Sequence, residues 1–178
     1  NKKGYSGTAL LCRTAPSRID RPRLGVGPDD SGQDADEEGR VTVAHFDAEE
    51  GCECAYAVVS VYTCNAGRGG GLGRLDYRTQ RWDTAFRAYC VAFVRAHPDV
   101  QLVVAGDLNV AHTDIDLARP DANRNVSPGF TDAEREGLCA LLAEAALCDS
   151  FRALHPEETD VYTWWSYRVR NAREKKLG

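Results

Sequence analysis

Residues 103–110, with the sequence VVAGDLNV, constrain the fold of this chain more than any other segment. The apolar residues predict a buried β-strand that ends at Gly106. Asp107 and Asn109 are two residues apart, so in an extended backbone their side chains point to the same side. A carboxylate can accept a proton from water or hold a metal ion, and a carboxamide can orient that water and donate to a developing oxyanion. Both residue types also favour turns, so a simple turn remains the alternative for this segment.

A second apolar segment with a polar end lies at residues 56–62 (YAVVSVY). Tyr62, Asn65 and Arg68 follow one another at its end, before a glycine run at 69–71. A hydroxyl, an amide and a guanidinium are neutral or cationic donors, and such a set suits a phosphate oxygen. The alternative is a flexible glycine turn without a ligand.

Hydrophobic periodicity and turn residues predict the other elements. Strands are expected at 4–11, 40–46, 56–62, 101–107 and 162–167, and helices at 75–97, after 131–134 and from 149 to 155. Thr131 and Glu134 have the spacing of a helix capping box. Residues 14–39 are expected to form a mobile acidic loop, and the strands at 40–46 and 56–62 are expected to form a hairpin. This order predicts a layered α/β domain with a site along one rim.

Two of these helices are expected to supply core residues. The first presents aromatic residues at helical intervals: Trp82, Phe86, Tyr89 and Phe93. The second is expected to bury Leu138, Leu141, Leu142 and Ala145. Seven cysteines, an odd number, occur without a CxxC pair, and Cys90 and Cys139 lie on the apolar helix faces. This pattern favours reduced, buried thiols in an intracellular protein.

The bulk composition allows a core and does not exclude nucleic acid as a partner. A chain of 178 residues with 43% hydrophobic residues suits one domain or a large part of one, and no apolar run is long enough to span a membrane. The formal net charge is −5, but six acidic residues fall within 29–38. Removing those six negative charges leaves +1 for the rest of the chain, so global charge excludes no anionic partner.

Basic and aromatic residues gather in two places. Arg74, Arg78 and Arg81 lie at the start of the first helix, where the helix dipole does not favour cations, so they are either solvated or face an anion. Four rings lie within 162–167, and a basic segment follows at 168–176. Such rings can form core or stack against bases and sugars, and the basic segment suits a phosphate backbone or is a solvated tail.

Seven motifs together resemble the exonuclease III-type abasic-site endonucleases, and closely the eukaryotic-type apurinic/apyrimidinic endonucleases. The motifs are Lys3-Gly4-Tyr5-Ser6-Gly7, Tyr62-x-x-Asn65-Ala66-Gly67-Arg68, Tyr77-Arg78 with Arg81-Trp82-Asp83, Gly106-Asp107-Leu108-Asn109-Val110-Ala111-His112, Gly129-Phe130-Thr131-x-x-Glu134-Arg135, Asp149-Ser150-Phe151-Arg152 and Tyr162-Thr163-Trp164-Trp165-Ser166-Tyr167-Arg168. The resemblance covers essentially the whole chain, and the motifs occur in the family's order.

The resemblance implies a four-layered α/β sandwich of the exonuclease–endonuclease–phosphatase superfamily. It implies a base-excision repair enzyme that incises duplex DNA 5′ to an abasic site with Mg²⁺, for which Mn²⁺ can substitute, and that is of the 3′–5′ exonuclease type. The expected partner is duplex DNA that contains abasic sites, without a membrane and without a second subunit. The expected location is the nucleus, with mitochondria and plastids as alternatives.

The resemblance also implies roles for the residues at the two strand ends. Tyr62 and Arg68 would contact the target phosphate, with Asn65 beside them. Asp107 would be the general base or the metal-linked carboxylate. Asn109 would orient the water and stabilise the transition state. Asp107 and Asn109 would also be the metal ligands that this chain contains.

Further DNA contacts are implied by the same resemblance: Gly4, Tyr5, Arg74, Asn123, Asn125, Trp164 and Arg168. Gly4 and Tyr5 would touch the DNA backbone, and Arg74 would enter the groove beside the flipped-out sugar. One of the two asparagines would bind a phosphate, and the spacing leaves open which one. Trp164 would form a wall of the pocket that excludes normal nucleotides. Arg168 stands where some relatives carry an apolar residue that inserts at the lesion.

The chain also departs from the family pattern. In the family, a metal-binding Glu precedes the Lys-Gly-Tyr motif, and an Asp and the catalytic His follow the last motif. Residues 1–178 are therefore expected to be part of one domain that lacks both ends and is inactive alone. Cys64 replaces the usual proline, and the glycine run at 69–71 is longer than expected.

Two other functions remain open from the sequence. One is a different phosphodiesterase of the same superfamily, such as a DNase I-like nuclease, which shares the motif at 106–109 in looser form. The other is a catalytically inactive DNA-binding fragment. The motifs at 129–131 and 164–167 favour the DNA-repair branch. An active parent protein is favoured by the joint presence of Tyr62, Arg68, Asp107 and Asn109.

Overall fold

The computed structural model describes residues 5–25, 35–36, 38–49, 53–67, 70–166 and 169–178. The chain forms two compact units. The first unit comprises residues 1–65 and 76–109, and the second comprises residues 66–75 and 110–178. None of the helices in the described ranges has the length and apolar character needed to cross a membrane.

A four-stranded sheet forms the centre of the first unit, in the order β1-β2-β3-β4. Its strands are β1 (Arg18–Asp20), β2 (Val41–Phe46), β3 (Ala55–Tyr62) and β4 (Val100–Asp107). Strand β2 pairs antiparallel with both β1 and β3, whereas β3 and β4 are parallel. Parallel strands need a crossover connection, and a helical segment between β3 and β4 provides it. The predicted hairpin of β2 and β3 and the mixed α/β class are confirmed.

The crossover begins with a π-helical segment, Tyr77–Asp83, and continues as α1, Thr84–Ala96. Trp82 is fully buried, and Phe86 and Phe93 are nearly so, which confirms the aromatic core predicted from their spacing. Tyr89 is only half-buried, although burial still raises the pKa of its hydroxyl to about 12. Burial likewise raises the pKa of the Cys90 thiol to about 12, so this cysteine is an inert core residue.

Strand β4 is less buried than its apolar sequence predicts. Its residues alternate between half-buried and exposed positions, and Val103 retains 45% of its surface. The prediction of a buried strand is therefore wrong for the described residues, in which β4 is the last strand of the sheet and its side chains are half-buried or exposed. The strand ends at Asp107, as expected for 101–107, and begins one residue earlier, at Val100.

Gly106 allows β4 to approach β3 closely at the carboxyl ends of the two strands. Its φ is +133°, a conformation that side chains rarely adopt. A Cβ atom built at this position would lie 2.0 Å from the carbonyl oxygen of Val61. Only glycine therefore fits at the point where the chain leaves the sheet.

The second unit is built from short helices and turns. Its helices are a 3₁₀ turn at Asp114–Asp116, α2 (Pro120–Asn123), α3 (Asp132–Glu144) and α4 (Ser150–Leu154). The predicted capping box at the start of α3 is confirmed, because the Thr131 hydroxyl accepts from Glu134 N and the Glu134 carboxylate accepts from Thr131 N. The predicted short helix α4 is confirmed as well. Leu141 and Ala145 are buried, whereas Leu138 and Leu142 are only half-buried.

Several expectations are wrong for the described residues. Residues 5–12 form no strand, and side-chain contacts such as that between the hydroxyls of Thr8 and Thr42 (2.9 Å) take the place of ladder hydrogen bonds. Residues 162–166 also form no strand. The acidic loop contains strand β1, which pairs with β2. Cys139 is exposed rather than buried, and its Sγ lies 3.0 Å from His112 Nε2.

Candidate active site

The carboxyl ends of β3 and β4 lie side by side because the two strands are parallel. Tyr62, the last residue of β3, is the register partner of Asp107, the last residue of β4. The hydrogen bond from Thr63 N to Asp107 O (2.9 Å) continues the ladder by one step. Two polar strand ends, which are separated by a helix in the sequence, therefore form one polar surface at the same edge of the sheet.

Side-chain hydrogen bonds join the two strand ends directly. Asn65 Nδ2 donates to Asn109 Oδ1 at 2.9 Å. Asn109 Nδ2 in turn donates to the carbonyl oxygen of Thr63 at 2.8 Å. The structure thus brings together four of the predicted site residues, Tyr62, Asn65, Asp107 and Asn109, within the first unit.

A turn, and not strand alternation, sets the relation between Asp107 and Asn109. Asn109 has a positive φ of 48°, a left-handed conformation that asparagine tolerates better than most residues. Asp107 Oδ1 accepts the backbone N–H of Asn109 at 2.9 Å, as in an Asx turn. The extended backbone assumed for this pair is therefore wrong, although the two side chains still lie at one site.

The two side chains are available to a ligand to different degrees. Asp107 is exposed, and its Oδ1 accepts one backbone hydrogen bond. The Asn109 carboxamide is already bonded at both its oxygen and its nitrogen. An amide nitrogen carries two hydrogens, so Asn109 can donate one further hydrogen bond. The Asp107 carboxylate can therefore contact water or a cation, beside the Asn109 amide, which is held in a fixed orientation.

Arg78 lies beneath the two strand ends, where sequence reasoning did not place it. Its side chain is 3% exposed and pairs with the carboxylate of Asp83 at 2.8 Å. Nη1 donates to the carbonyl oxygen of Cys64 and Nη2 to that of Leu108, each at 3.0 Å. Of the two expectations for Arg78, that it is solvated or that it faces an anion, the second is confirmed: the anion is the carboxylate of Asp83 in the same helical segment. The sequence signal was the pair Arg78 and Asp83, one turn of a π-helix apart.

Arg40 contacts Tyr62, the residue expected to bind the target phosphate, through both its ring and its backbone. Its guanidinium lies over the Tyr62 ring at 4.9 Å and over the Tyr5 ring at 5.4 Å. It also donates to Tyr62 O at 3.1 Å and pairs with Glu38 at 2.6 Å. Burial disfavours its charge, but the hydrogen bond and the attraction to Glu38 outweigh burial and raise the pKa of Arg40 above its ordinary value. Sequence reasoning missed Arg40, and its position directly after an acidic loop was the available signal.

The second unit contains further predicted residues. Asn123 donates to Arg119 O at 2.9 Å and accepts from the Ser127 hydroxyl at 2.6 Å. Asn125 exchanges hydrogen bonds with Asp132 through its Nδ2 (2.7 Å) and its Oδ1 (2.8 Å). Both amides therefore stabilise the chain before α3, and a role toward phosphate stays a prediction for either one.

The remaining predicted DNA contacts divide into described and undescribed residues. Trp164 of the second unit is 63% exposed, as a residue that contacts a ligand would be. Arg74 lies in a turn, where its backbone N–H donates to Ala66 O at 2.9 Å. Gly4, Arg68 and Arg168 lie outside the described residues.

The described residues alone offer few metal ligands. None of the described ranges contains a group of three or more His, Cys, Asp or Glu side chains that is able to hold a metal ion. The Asp107 carboxylate is a hard oxygen donor of the kind that Mg²⁺ prefers, and it is exposed. The Asn109 oxygen already accepts from Asn65, so it fits the role of a second ligand less well than the sequence suggested.

Comparison with known proteins gives a consistent result. Residues 1–174 match a family model described as the Endonuclease/Exonuclease/phosphatase family. The chain is 44% identical over 178 residues to the DNA repair nuclease APEX1 of Danio rerio, across 100% of this chain and 50% of that protein. It is 41% identical over 177 residues to an exodeoxyribonuclease of Bacillus subtilis, across 99% of this chain and 61% of that protein. The chain thus spans about half the length of the first of these curated relatives.

A solved structure supports the same fold. The AP endonuclease LMAP from Leishmania major superposes with a TM-score of 0.71 and 30% sequence identity, across 90% of this chain and 49% of that chain. The expected exonuclease–endonuclease–phosphatase fold class is therefore confirmed.

Proposed function

We propose, from the premise that this chain belongs to the endonuclease/exonuclease/phosphatase family, that it supplies part of the active site of a DNA repair nuclease. The observation that carries this proposal is the joining of the β3 and β4 ends, where Asp107 and Asn109 lie beside Tyr62 and Asn65. The relatives named as a DNA repair nuclease and as an exodeoxyribonuclease support the same class of reaction. The proposed reaction is hydrolysis of the phosphodiester on the 5′ side of an abasic site in duplex DNA.

The described residues suit distinct parts of such a hydrolysis. Asp107 presents an exposed carboxylate that can accept a proton from the attacking water. Asn109, held by Asn65 and Thr63, keeps one N–H to donate to charge that develops on the phosphate oxygens. The Tyr62 hydroxyl is a neutral donor at the same edge, and it would hold the phosphate in place.

A divalent metal belongs to this proposal. Nucleases of this family are metal-dependent, and Mg²⁺, with Mn²⁺ as a substitute, is the ion that we propose. Asp107 would hold it with Asn109 as the second ligand of this chain, and the described residues contain no group of three or more His, Cys, Asp or Glu side chains that would complete the site. When bound, the ion would stabilise negative charge on the phosphate.

The proposed substrate is distinguished by a missing base. An abasic sugar costs less to extrude from the duplex than a paired nucleotide, and this difference provides selectivity. Exposed Trp164 would contact the extruded sugar, and Tyr5, which is 46% exposed, would contact the DNA backbone. Gly4, Arg68 and Arg168 keep their proposed roles toward DNA. A nuclear location, in a monomeric protein, is part of the same proposal.

The experiment that tests this function is an incision assay with the full-length protein that contains this chain. The substrates are a duplex with one abasic site and the same duplex with a normal base pair, each with Mg²⁺ and each with EDTA. We expect incision 5′ to the abasic site with Mg²⁺ only. Equal cleavage of both duplexes would favour a DNase I-like nuclease, and binding without cleavage would favour an inactive DNA-binding protein.

A further inference from the structure

The buried guanidinium of Arg78 contacts both strand ends of the candidate active site at once. Its two terminal nitrogens donate to Cys64 O, next to Asn65, and to Leu108 O, between Asp107 and Asn109. The third nitrogen, Nε, donates to Asp83, so the charge is neutralised within the same helical segment. All of these residues belong to the first unit.

We propose that Arg78 is a positioning residue that sets the spacing between the Asn65 end and the Asp107–Asn109 end of the site. This inference rests on the proposed nuclease function. In this role Arg78 does not contact the substrate or the attacking water. It holds the backbone carbonyls after both strands, and the side-chain hydrogen bond between Asn65 and Asn109 is a second link between the same two ends.

The chemistry of the guanidinium suits this role. Its five N–H donors have a rigid planar geometry, so one side chain can bond two carbonyl oxygens and a carboxylate in fixed directions. A lysine ammonium keeps the charge and the Asp83 pair but lacks this planar fork. The two loops lie beyond the last ladder bond of β3 and β4, so without the fork their separation depends on the weaker amide contacts. A shift of about 1 Å in the position of catalytic groups can cost on the order of 10²-fold in rate.

The test compares Arg78→Lys with Phe86→Leu in the full-length protein. Phe86 is buried in α1 and packs on Trp82, with ring centroids 5.2 Å apart, so its substitution lowers stability without touching either strand end. Urea unfolding gives the free energy of unfolding of each variant, so that the loss of activity can be compared with the loss of stability. Incision of the abasic duplex then gives kcat and KM for each variant. We expect Arg78→Lys to lower kcat by roughly 10- to 100-fold with KM changed less than about threefold, and Phe86→Leu to leave kcat near the wild-type value.

A second readout does not depend on activity. The side-chain amide signals of Asn65 and Asn109 in a ¹⁵N NMR spectrum report on their hydrogen bond. Arg78→Lys should shift both signals, and Phe86→Leu should leave them in place. If Arg78→Lys does not fold, the double variant Arg78→Gln with Asp83→Asn, which removes both charges together, replaces it in both measurements.

The outcomes separate this inference from the proposed function. If kcat falls equally in both variants, in proportion to lost stability, or if kcat and the amide signals stay unchanged in Arg78→Lys, the positioning role is overturned. If the wild-type protein does not incise the abasic duplex at all, the proposed function fails. The amide signals then still decide whether Arg78 sets the spacing of the two ends.

Discussion

Two residues of the site differ in how they are held: the Asp107 carboxylate is exposed, whereas the Asn109 amide is fixed by hydrogen bonds to its neighbours. The Asp107 side chain is exposed, and its Oδ1 accepts a hydrogen bond from Asn109 N. The Asn109 side-chain oxygen accepts from Asn65, and one of its N–H groups donates to Thr63 O. A carboxylate that acts as a base must meet solvent, whereas an amide that donates to a developing charge gains from a fixed position. The two residues should therefore respond differently to substitution.

Substitution of either residue should lower kcat for abasic-site incision by the full-length protein. Asn109→Ala should cost roughly 10²-fold or more, the scale for loss of one oxyanion-type donor. Asp107→Asn should cost at least as much because it removes the base and keeps the shape. DNA binding, measured by fluorescence anisotropy, should weaken much less in both variants. An Asp107→Asn protein that incises at the wild-type rate would show that the role assigned to Asp107 is wrong.

At the element scale, single buried contacts decide how strands and helices are joined. Gly106 lies one residue before the end of β4, where the chain passes within contact distance of Val61 in β3. Asp116 ends the 3₁₀ turn and accepts from Arg152 of α4 at 2.6 Å, which ties two elements of the second unit together. Substitution at either contact should change the free energy of unfolding, which can be measured without an activity assay.

Gly106→Ala should destabilise the first unit. The added Cβ would meet the Val61 carbonyl oxygen at 2.0 Å, and φ of +133° is strained for any side chain. Because backbone atoms cannot give way cheaply, the free energy of unfolding in urea should fall by roughly 3 kcal/mol or more. Alanine substituted for Gly71, which has open space around its Cβ position, serves as the control. Equal stability of the two variants would mean that β4 does not approach β3 as described.

The Asp116–Arg152 contact should make stability depend on pH. Burial favours the protonated form of Asp116, but hydrogen bonds from Thr113 and Arg152 outweigh burial and lower the pKa of this carboxylate. A carboxylate with a depressed folded-state pKa contributes stability above its unfolded pKa, about 3.9, and this contribution is lost as the pH falls through the folded-state pKa. Asp116→Asn should therefore be less stable than wild type at pH 7 by roughly 1 to 3 kcal/mol.

The same difference should shrink below about pH 4, because Asp116 of the unfolded wild-type chain then binds a proton while the folded protein still holds the carboxylate ionised. Urea unfolding of wild type and Asp116→Asn at pH 7, 5 and 3.5 measures the difference in their free energies of unfolding. A difference that grows on acidification would contradict the sign of this pKa shift.

At the scale of the whole molecule, the chain spans about half the length of the Danio rerio relative, and no group of three metal ligands occurs among its described residues. In the proposed function, Asp107 and Asn109 would be two ligands that each already accept a hydrogen bond, and such a pair alone would hold a strongly hydrated Mg²⁺ ion weakly. The proposed reaction would therefore draw on further ligands.

Residues 1–178 expressed alone should incise an abasic duplex far more slowly than the full-length protein under the same Mg²⁺ concentration. The comparison is a time course with equal concentrations of the two proteins, and circular dichroism verifies that the shorter chain is folded. Robust incision by residues 1–178 would show that the described residues, together with Arg68 and the other undescribed positions, already form a complete site.

Elements whose causes lie in neighbouring residues were predictable from the sequence, whereas contacts between distant segments set how those elements meet. The apolar alternation of β2 and β3, the aromatic spacing of α1 and the capping box of α3 depend on neighbouring residues, so they were predictable. The motifs likewise placed Tyr62, Asn65, Asp107 and Asn109 at strand ends. The turn at Asn109, the half-exposed β4 and the burial of Arg78 depend on chain segments that are distant in sequence. Only the parallel register of β3 and β4 places two carbonyl oxygens where one guanidinium can bond both.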